Sequence, residues 1–360
     1  METLNIEISY KELRKGIPKF ENDEYQIAAY YSEARKETFL NNPFLREEDE
    51  IAYIFPTVDG KIVGRNTHFP ILVRIGNEIV NCISCSALEV HKDYRKFAIG
   101  ADLMCYPVFK DKREFVIAAG ISEQALPMYK KLRYHILNYD RFLMIRNFKP
   151  IFIYKGIPKF MANISVPILN ALGKGYYNLF SKKKAKDFKI KEIKKIPKSI
   201  DKISLDDKYQ FMEVHDHKWL QWNLDYNFTV HPFNKKKFFI IYDENDVEIG
   251  FFMLKETFRE TAGELKNVKL GSIIEWGSTD ESRLSEFDIY RMALPYFSKD
   301  IDLIEVASAD TTIGKKLRKL GFLKFRQAHI IFKDKKKQYP ESKNIANWRI
   351  RLGYADVAFT

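Results

Sequence analysis

The stretch VHKDYRKFAIGADLM, residues 90–104, joins the end of an apolar strand to the start of a helix through a basic turn. Small residues open that helix, at Ala98, Gly100 and Ala101. The first backbone N–H groups of a helix have no partner inside it, and the helix dipole favours negative charge at that end. Small side chains let a pyrophosphate approach the main chain, so the stretch predicts an anion-binding turn.

This turn carries neither of the two common nucleotide-binding fingerprints. No GxGxxG follows the strand, and the chain has no GxxxxGK[ST]. A tight strand-to-helix turn, in which the small residues serve packing alone, is therefore the alternative interpretation of the stretch by itself.

The sequence around this turn alternates between strand and helix periodicity, which predicts an α/β (α+β) fold with a mixed, twisted central sheet flanked by helices. In the first half we expect strands at 51–58, 61–73, 78–90, 114–121 and 137–147, and helices at 24–40, 98–110 and 123–132. In the second half we expect strands at 237–243, 247–254, 270–278 and 302–308, and helices at 285–297 and 312–322.

The two halves repeat one scheme. Gly64, at the end of VDGKIVG, precedes Leu132 by 68 residues, and Gly250, at the end of NDVEIG, precedes Leu320 by 70. Such matched spacing indicates a duplicated unit. We expect a first domain at 1–147, a connector at 148–204 and a second domain at 205–360, which suits a chain of 360 residues.

Arg95-x-x-Ala98-x-Gly100, in its strand–loop–helix setting, resembles motif A of the GNAT superfamily of acyl-CoA N-acyltransferases, written [QR]-x-x-G-x-[GA]. The later LPMYKKLRY, residues 126–134, resembles motif B of that superfamily, in which a tyrosine-bearing helix ends in K-L-G-F. With the VDGKIVG hairpin, the resemblance covers about residues 45–145. Two positions depart from the pattern, because Ala98 and Arg133 stand where the family carries glycine.

The resemblance implies that acyl-CoA, acetyl-CoA or another, lies as co-substrate between the strands at 82–90 and 114–121, with no metal. Main-chain groups near Leu88 and Val90 then hold the pantetheine and polarise the thioester. The side chains of Arg95 and Lys96 add positive charge at the pyrophosphate. The backbone amides expected to bind the pyrophosphate belong to Lys96, Phe97, Ala98, Ile99, Gly100 and Ala101.

The resemblance also implies catalytic roles. Tyr129 matches the motif B tyrosine, the general acid for the leaving thiolate, although a core tyrosine is the plainer interpretation. The attacking amine must lose a proton, so a base is needed. Glu89 is the first candidate, Glu123 the second and His91 a lesser one.

The second half shares the fold signals, but its corresponding loop is acidic. TDESRLSEF follows the strand there, and Asp280 and Glu281 would repel a pyrophosphate. We therefore expect a degenerate GNAT-like domain that does not bind CoA. The terminal segment 347–359 either returns to line the acceptor cleft or forms a packed strand.

The net charge of +12 is concentrated in the connector. Residues 151–202 contain 13 lysines and three acids, so the rest of the chain is nearly neutral, and no sequence-specific nucleic-acid surface is expected. The window begins apolar and ends lysine-rich, typical of an amphipathic segment on another domain or on anionic lipid. A solvated linker is the ordinary interpretation, and peripheral membrane contact the other.

The remaining signals indicate a cytoplasmic protein. The N-terminus shows no secretory signal, and the longest stretch without charged residues, 160–173, has only 14 residues. Three cysteines cannot form a disulfide framework, and Cys82 and Cys85 would face opposite sides of a strand. His215 and His217 lack cysteine partners, so we expect no metal site.

Three functions stay open at this point. The first is an N-acyltransferase, expected to be an N-acetyltransferase, that acts on a primary amine of a small metabolite, amino sugar or peptide by direct attack in a ternary complex. The second is a Fem-type aminoacyl transferase that uses aminoacyl-tRNA. The third is a non-catalytic GNAT-like module that binds a membrane or a partner through the connector.

Overall fold

One mixed sheet of 14 strands runs through both halves of the chain in the computed structural model. The structure describes residues 2–16, 20–28, 31–46, 50–181, 188–205, 209–310 and 312–359. Because the sheet is continuous, the expected division at 147/148 and 204/205 stays a prediction about sequence units.

The first half contains seven strands and four helices in its described residues. They are β1 (Thr3–Ser9), α1 (Tyr10–Lys15), α2 (Glu33–Leu40), β2 (Ile51–Val58), β3 (Lys61–Ile62), β4 (Gly64–Ile75), β5 (Glu78–Val90), α3 (Ile99–Phe109), β6 (Phe115–Ala119), α4 (Leu126–Lys131) and β7 (His135–Ile145). The strands and helices expected after residue 50 are confirmed within a few residues at their ends.

The connector and the second half contain seven strands and six α-helices in their described residues. Their elements are α5 (Lys149–Tyr154), α6 (Lys159–Ser181), β8 (Lys189–Ile193), α7 (Asp201–Ser204), β9 (Phe211–Glu213), α8 (His217–Asp225), β10 (Lys235–Tyr242), β11 (Glu248–Ala262), β12 (Leu265–Ser278), α9 (Glu286–Ala293), β13 (Leu303–Ser308), α10 (Ile313–Arg318) and β14 (Phe322–Asp334). The sequence patterns gave no expectation for several of the observed elements, namely β1, β8, β9, β14, α1, α5, α6, α7 and α8.

The expected N-terminal helix over 24–40 is wrong in its first part. The Ser32 side chain accepts a hydrogen bond from the Arg35 N–H, so the helix begins at Glu33. Before it, the Asp23 carboxylate accepts hydrogen bonds from the N–H groups of Ile27 and Ala28 at 2.8 and 2.6 Å. Those bonds hold a turn, since an Asp side chain competes with the backbone for helix donors.

The two halves exchange their last strands. In the order of the sheet, β6 of the first half is followed by β14, then β7, then β13. Strand β14 therefore completes the first half, and β7 completes the second, through antiparallel pairs such as Ile330↔Ala119 and Val306↔Phe142. This reciprocal exchange brings residues of the second half beside the first-half strands.

Apolar residues lie on both faces of the sheet. Helices α3 and α4 pack on one face of the first half, through Leu103 and Tyr129 among others. The opposite faces of both halves share one large core, which includes Phe115, Phe251 and the C-terminal Tyr354. The C-terminal segment thus lies inside the molecule between the halves.

Candidate active site

Strands β5 and β6 are parallel neighbours over a short distance only. Their pairing covers Cys82↔Phe115, Ile83↔Val116 and Ser84↔Ile117, and beyond these pairs the strands separate. Strand β5 carries Ala87 at φ 53°, opposite a break in register between Arg65 and Thr67 of β4. Such a bulge bends its strand away from a neighbour.

A cavity of about 310 Å³ lies where β5 and β6 have separated. Its lining comes from both strands, from α4 and from the C-terminal segment. The lining residues that matter here are Asn66, Ser86, Leu88, Gly120, Tyr129 and Val357. Of the sequence-predicted residues, the structure therefore brings Leu88 and Tyr129 to one cleft.

Tyr129 lies on α4 and is 5% exposed. Its ring meets Tyr134 edge-on at 5.1 Å, and the Tyr134 hydroxyl donates a hydrogen bond to the Met104 carbonyl at 2.9 Å. Burial, and secondarily Cys85, raises the pKa of the Tyr129 hydroxyl well above its usual value. The Tyr129 hydroxyl therefore keeps its proton at neutral pH.

The predicted anion-binding turn begins directly after β5. A 3₁₀ helix spans Lys92–Phe97, and α3 begins at Ile99 with no side-chain cap on its first N–H groups. Arg95, Lys96, Phe97 and Ala98 are exposed, while Gly100 and Ala101 are half-buried. The Arg95 Nε donates to the Val90 carbonyl at 3.0 Å, which ties the basic turn to the strand end.

Both residues that replace a family glycine adopt the left-handed conformation. Ala98 has φ 60° and Arg133 has φ 58°. In the second half, Gly321 stands at the position that matches Arg133 and has φ 92°. The backbone of the motif is thus kept although the glycine is absent, at a cost of about 1–2 kcal/mol for each non-glycine residue.

The remaining candidates lie outside the cavity lining. Val90 packs against Ile99 in the core under α3, and Glu89 forms an ion pair with Arg65. His91 stacks on Tyr25 at 3.8 Å. The role of Glu89 as a base stays a prediction, and its carboxylate already has a partner.

Glu123, the second candidate base, belongs to a hydrogen-bonded row that the sequence did not reveal. His329 of β14 lies 3.1 Å from Glu123 through Nε2 and 2.8 Å from the Asn138 side chain through Nδ1. Glu123 is exposed, directly after the cavity-lining Ser122, and His329 is 7% exposed. Only the strand exchange brings His329 here, so no local sequence signal predicts it.

The C-terminal segment reaches the cleft, which is one of the two alternatives that the sequence left open for residues 347–359. Val357 lines the cavity, and its carbonyl accepts a hydrogen bond from the buried Lys255 Nζ at 2.7 Å. The segment Ala355–Ala358 is a 3₁₀ helix rather than a strand. It contacts both β5 and β6.

The corresponding place in the second half is filled by the chain itself. Strands β12 and β13 are also parallel over three pairs, from Leu270↔Leu303 to Ser272↔Glu305. Beyond them, Gly353 donates from its N–H to the Ile274 carbonyl at 2.8 Å. Arg349 lies over the Trp276 ring at 3.8 Å and pairs with Glu281 at 2.7 Å.

Cys82, Cys85 and His215 lie in the protein core. Cys82 and Cys85 are buried in different cores on opposite faces, as expected. His215 is buried between Glu213 and Glu275, at 3.3 and 3.0 Å. Within the described ranges, no group of three or more potential ligands is placed to hold a metal ion. Over the same ranges, no helix has the length and apolar character of a membrane span.

No protein-family model matches this sequence, and neither does any curated protein. Solved structures do match. Saccharomyces cerevisiae N-myristoyltransferase with bound myristoyl-CoA aligns over 92% of this chain and 79% of its own, with a TM-score of 0.58 and 12% identity.

Two bacterial structures match in a similar way. A probable N-acyltransferase from Enterococcus faecalis covers 94% of this chain and 74% of its own, with a TM-score of 0.57 and 12% identity. A GCN5-related N-acetyltransferase from Anabaena variabilis covers 93% and 73%, with a TM-score of 0.55 and 10% identity. At these identities the likeness establishes architecture, and the chain has the fold of the GNAT-superfamily N-acyltransferases.

Proposed function

We propose that the protein is an acyl-CoA-dependent N-acyltransferase whose active site is the first-half cleft. One observation carries the proposal: the cavity between the separated strands β5 and β6 is lined by the buried side chain of Tyr129. The exposed basic turn at the start of α3 directly follows β5. The structural neighbours, which include a myristoyl-CoA complex, support the same class of donor.

In this proposal the CoA moiety follows β5 to the helix start. The pyrophosphate binds the first amides of α3 and its preceding turn, from Lys96 to Gly100, with the Arg95 side chain beside them. The expected role of the Ala101 amide is wrong, because this N–H already donates to the Ala98 carbonyl at 2.8 Å. The pantetheine lies along Leu88 to Val90, where main-chain groups stabilise the oxyanion that develops on the thioester carbonyl. This arrangement places the thioester in the cavity beside Tyr129.

The chemistry is a direct transfer in a ternary complex. The acceptor amine attacks the thioester carbon, the new C–N bond forms, and the C–S bond breaks. Tyr129 protonates the leaving thiolate, which is general acid catalysis. The amine proton passes to Glu123, which directly follows the cavity-lining Ser122 and contacts His329, whereas Glu89 lies outside the cavity lining.

We infer that the donor carries a short acyl group, acetyl foremost. The cavity volume of about 310 Å³ is small, near the lower limit of roughly 300 Å³ for ligand pockets. The acceptor in the proposal is a primary amine of a small metabolite, amino sugar or peptide.

The test is release of CoA thiol from acetyl-CoA in the presence of pooled primary amines. The Arg95→Glu, Gly100→Trp double variant reverses a charge and blocks the turn, and we expect it to be inactive. The single variant Lys316→Glu makes the same charge change on the exposed face of α10 and should keep wild-type activity. Thiol release by the blocked variant at the wild-type rate, or no release by the wild type with any amine, would contradict the proposal.

A further inference from the structure

The connector helix α6 presents large apolar side chains to solvent. Phe160, Met161, Ile164, Ile168 and Leu172, here called the connector stripe, are between 47% and 68% exposed. Four of them are spaced four residues apart, which places successive members along one side of a helix. Surface apolar residues normally occur singly, so a row of this kind requires an explanation.

The other side of α6 is anchored to the protein. Val166 is buried, and Asn170 accepts a hydrogen bond from the Phe148 N–H at 3.0 Å. The Asn170 amide also donates to the Asn147 side chain at 3.1 Å. The stripe therefore belongs to a helix whose orientation is fixed, and its exposure is not the result of a detached segment.

The stripe reaches a cavity through its last member, Leu172. Leu323 and Phe325, at the start of β14, are 59% and 56% exposed. Leu323 and the stripe residue Leu172 both line a cavity of about 1030 Å³ under the C-terminal part of α6. The apolar area thus extends from the helix surface to the mouth of this cavity.

The connector sequence around the stripe carries charge of one sign, although Asp300 of the second half lines the cavity beside Leu172. From Lys149 to Lys186 the sequence contains eight lysines and no aspartate or glutamate. Lys155, Lys159 and Lys174 lie on or next to α6 and are exposed. An apolar row flanked by lysines is complementary to a surface that is apolar below and anionic at its headgroups.

We propose that the connector stripe binds the surface of an anionic phospholipid bilayer, with α6 lying in the plane of the headgroups. Each large apolar side chain that leaves water favours binding, and so does each lysine near an anionic surface. The inference goes beyond the proposed function and does not depend on it, because none of these residues lines the first-half cleft.

The experiment is co-sedimentation with vesicles of equimolar phosphatidylcholine and phosphatidylglycerol, against vesicles of phosphatidylcholine alone. Wild type should bind the anionic vesicles preferentially. The variant Ile164→Asp, Ile168→Asp should lose at least about tenfold in affinity, since each change replaces an apolar side chain that the bilayer would bury by a charged one. Val230→Asp is the matched control, because Val230 is 89% exposed and lies in the second half.

A fluorescence measurement separates insertion from nonspecific adhesion. The four native tryptophans, Trp219, Trp222, Trp276 and Trp348, are all buried, so their emission should not respond to vesicles. The Phe160→Trp variant should shift its emission to the blue with anionic vesicles. Absence of wild-type binding to them, or equal binding by the Ile164→Asp, Ile168→Asp variant, would overturn the proposal. Self-association that this double variant abolishes, without vesicle binding, would instead assign the stripe to a second copy of the chain.

Discussion

The two halves of the sheet share one strand geometry, but the cleft between the separated strands is open in the first half and filled in the second. In the first half, β5 and β6 separate after three parallel pairs and leave a cavity that a tyrosine lines. In the second half, β12 and β13 also pair over three residues, but the C-terminal segment is hydrogen-bonded to β12 just beyond them. The loops differ as well, since one is basic and the other contains Asp280 and Glu281.

Under the proposed function, separated parallel strands alone would not make an acyl-CoA site. The site also needs open space, a cationic helix start and a proton donor. Leu317 stands in the second half where spacing places Tyr129 in the first, because each lies three residues before the matched leucines, Leu320 and Leu132. The second half therefore lacks all three requirements.

The largest effect should come from removing the first-half proton donor. Tyr129→Phe keeps the ring and its packing but deletes the hydroxyl, so kcat should fall about a hundredfold or more, with little change in the KM for acetyl-CoA. The matched control is Tyr134→Phe, which loses the hydrogen bond to Met104 and should keep its kcat. Equal losses in both variants would assign Tyr129 a packing role only.

The next effect concerns the filled second cleft. A Cβ at Gly353 would lie 2.5 Å from the Glu275 carboxylate and 2.8 Å from the Ile274 carbonyl. Gly353→Ala should therefore lower the free energy of unfolding by about 1–3 kcal/mol. Gly100→Ala is the comparison in the open half, where the nearest atom, on Val90, is 3.7 Å away, and urea denaturation should show little loss. A loss at Gly100 as large as at Gly353 would contradict the difference between the clefts.

A pH effect should arise from His68 in the first half. This residue is 1% exposed, and burial, with a smaller contribution from Arg113, lowers its pKa to about 3. The unfolded chain binds a proton at His68 below about pH 6.5 while the folded chain does not, so stability falls as pH falls. From pH 7 to pH 5 the loss should be about 2 kcal/mol.

The readout is the slope of the free energy of unfolding against pH. His68→Gln removes the titrating group, so this variant should show a smaller slope over that range, whatever its absolute stability. A slope equal to that of the wild type would show that His68 is protonated in the folded protein.

The smallest effects concern the left-handed residues that replace glycine. Arg133→Gly should raise the free energy of unfolding by up to about 1 kcal/mol, because relief of the strain outweighs the added chain entropy. Gly321→Ala, at the matched second-half position, should lower it by a similar amount. Ala98→Gly should also tighten acetyl-CoA binding, since its Cβ lies on the predicted pyrophosphate turn. Thermal melts that rank Arg133→Gly below the wild type would refute the matched assignment.

Local sequence patterns predicted the parts of the fold that depend on local physics. Alternating apolar residues placed β5 at 78–90 with its observed bounds, and small residues after a basic turn placed the start of α3 within one residue. The repeat spacing also matched Gly64 with Gly250, and the same steric constraint applies to both positions. A Cβ at either glycine would lie within 3.0 Å of a carbonyl oxygen on the next strand.

The parts that the sequence could not show are the long-range ones. Which strand lies beside β6 depends on pairing across more than 200 residues, so the insertion of β14 and the contact of His329 with Glu123 had no local signal. The same holds for the second cleft. The acidic loop of the second cleft could be read from the sequence. That the C-terminal segment fills this cleft could not, because the contact joins parts of the chain that are far apart in sequence.

The most direct test of the central claim is a calorimetric titration of the whole chain with acetyl-CoA. The account predicts one binding event per chain, which disappears in the Arg95→Glu, Gly100→Trp variant and persists in Lys316→Glu. Two equivalents per chain, or binding that survives in the Arg95→Glu, Gly100→Trp variant, would show that the first-half cleft is not the acyl-CoA site or not the sole one.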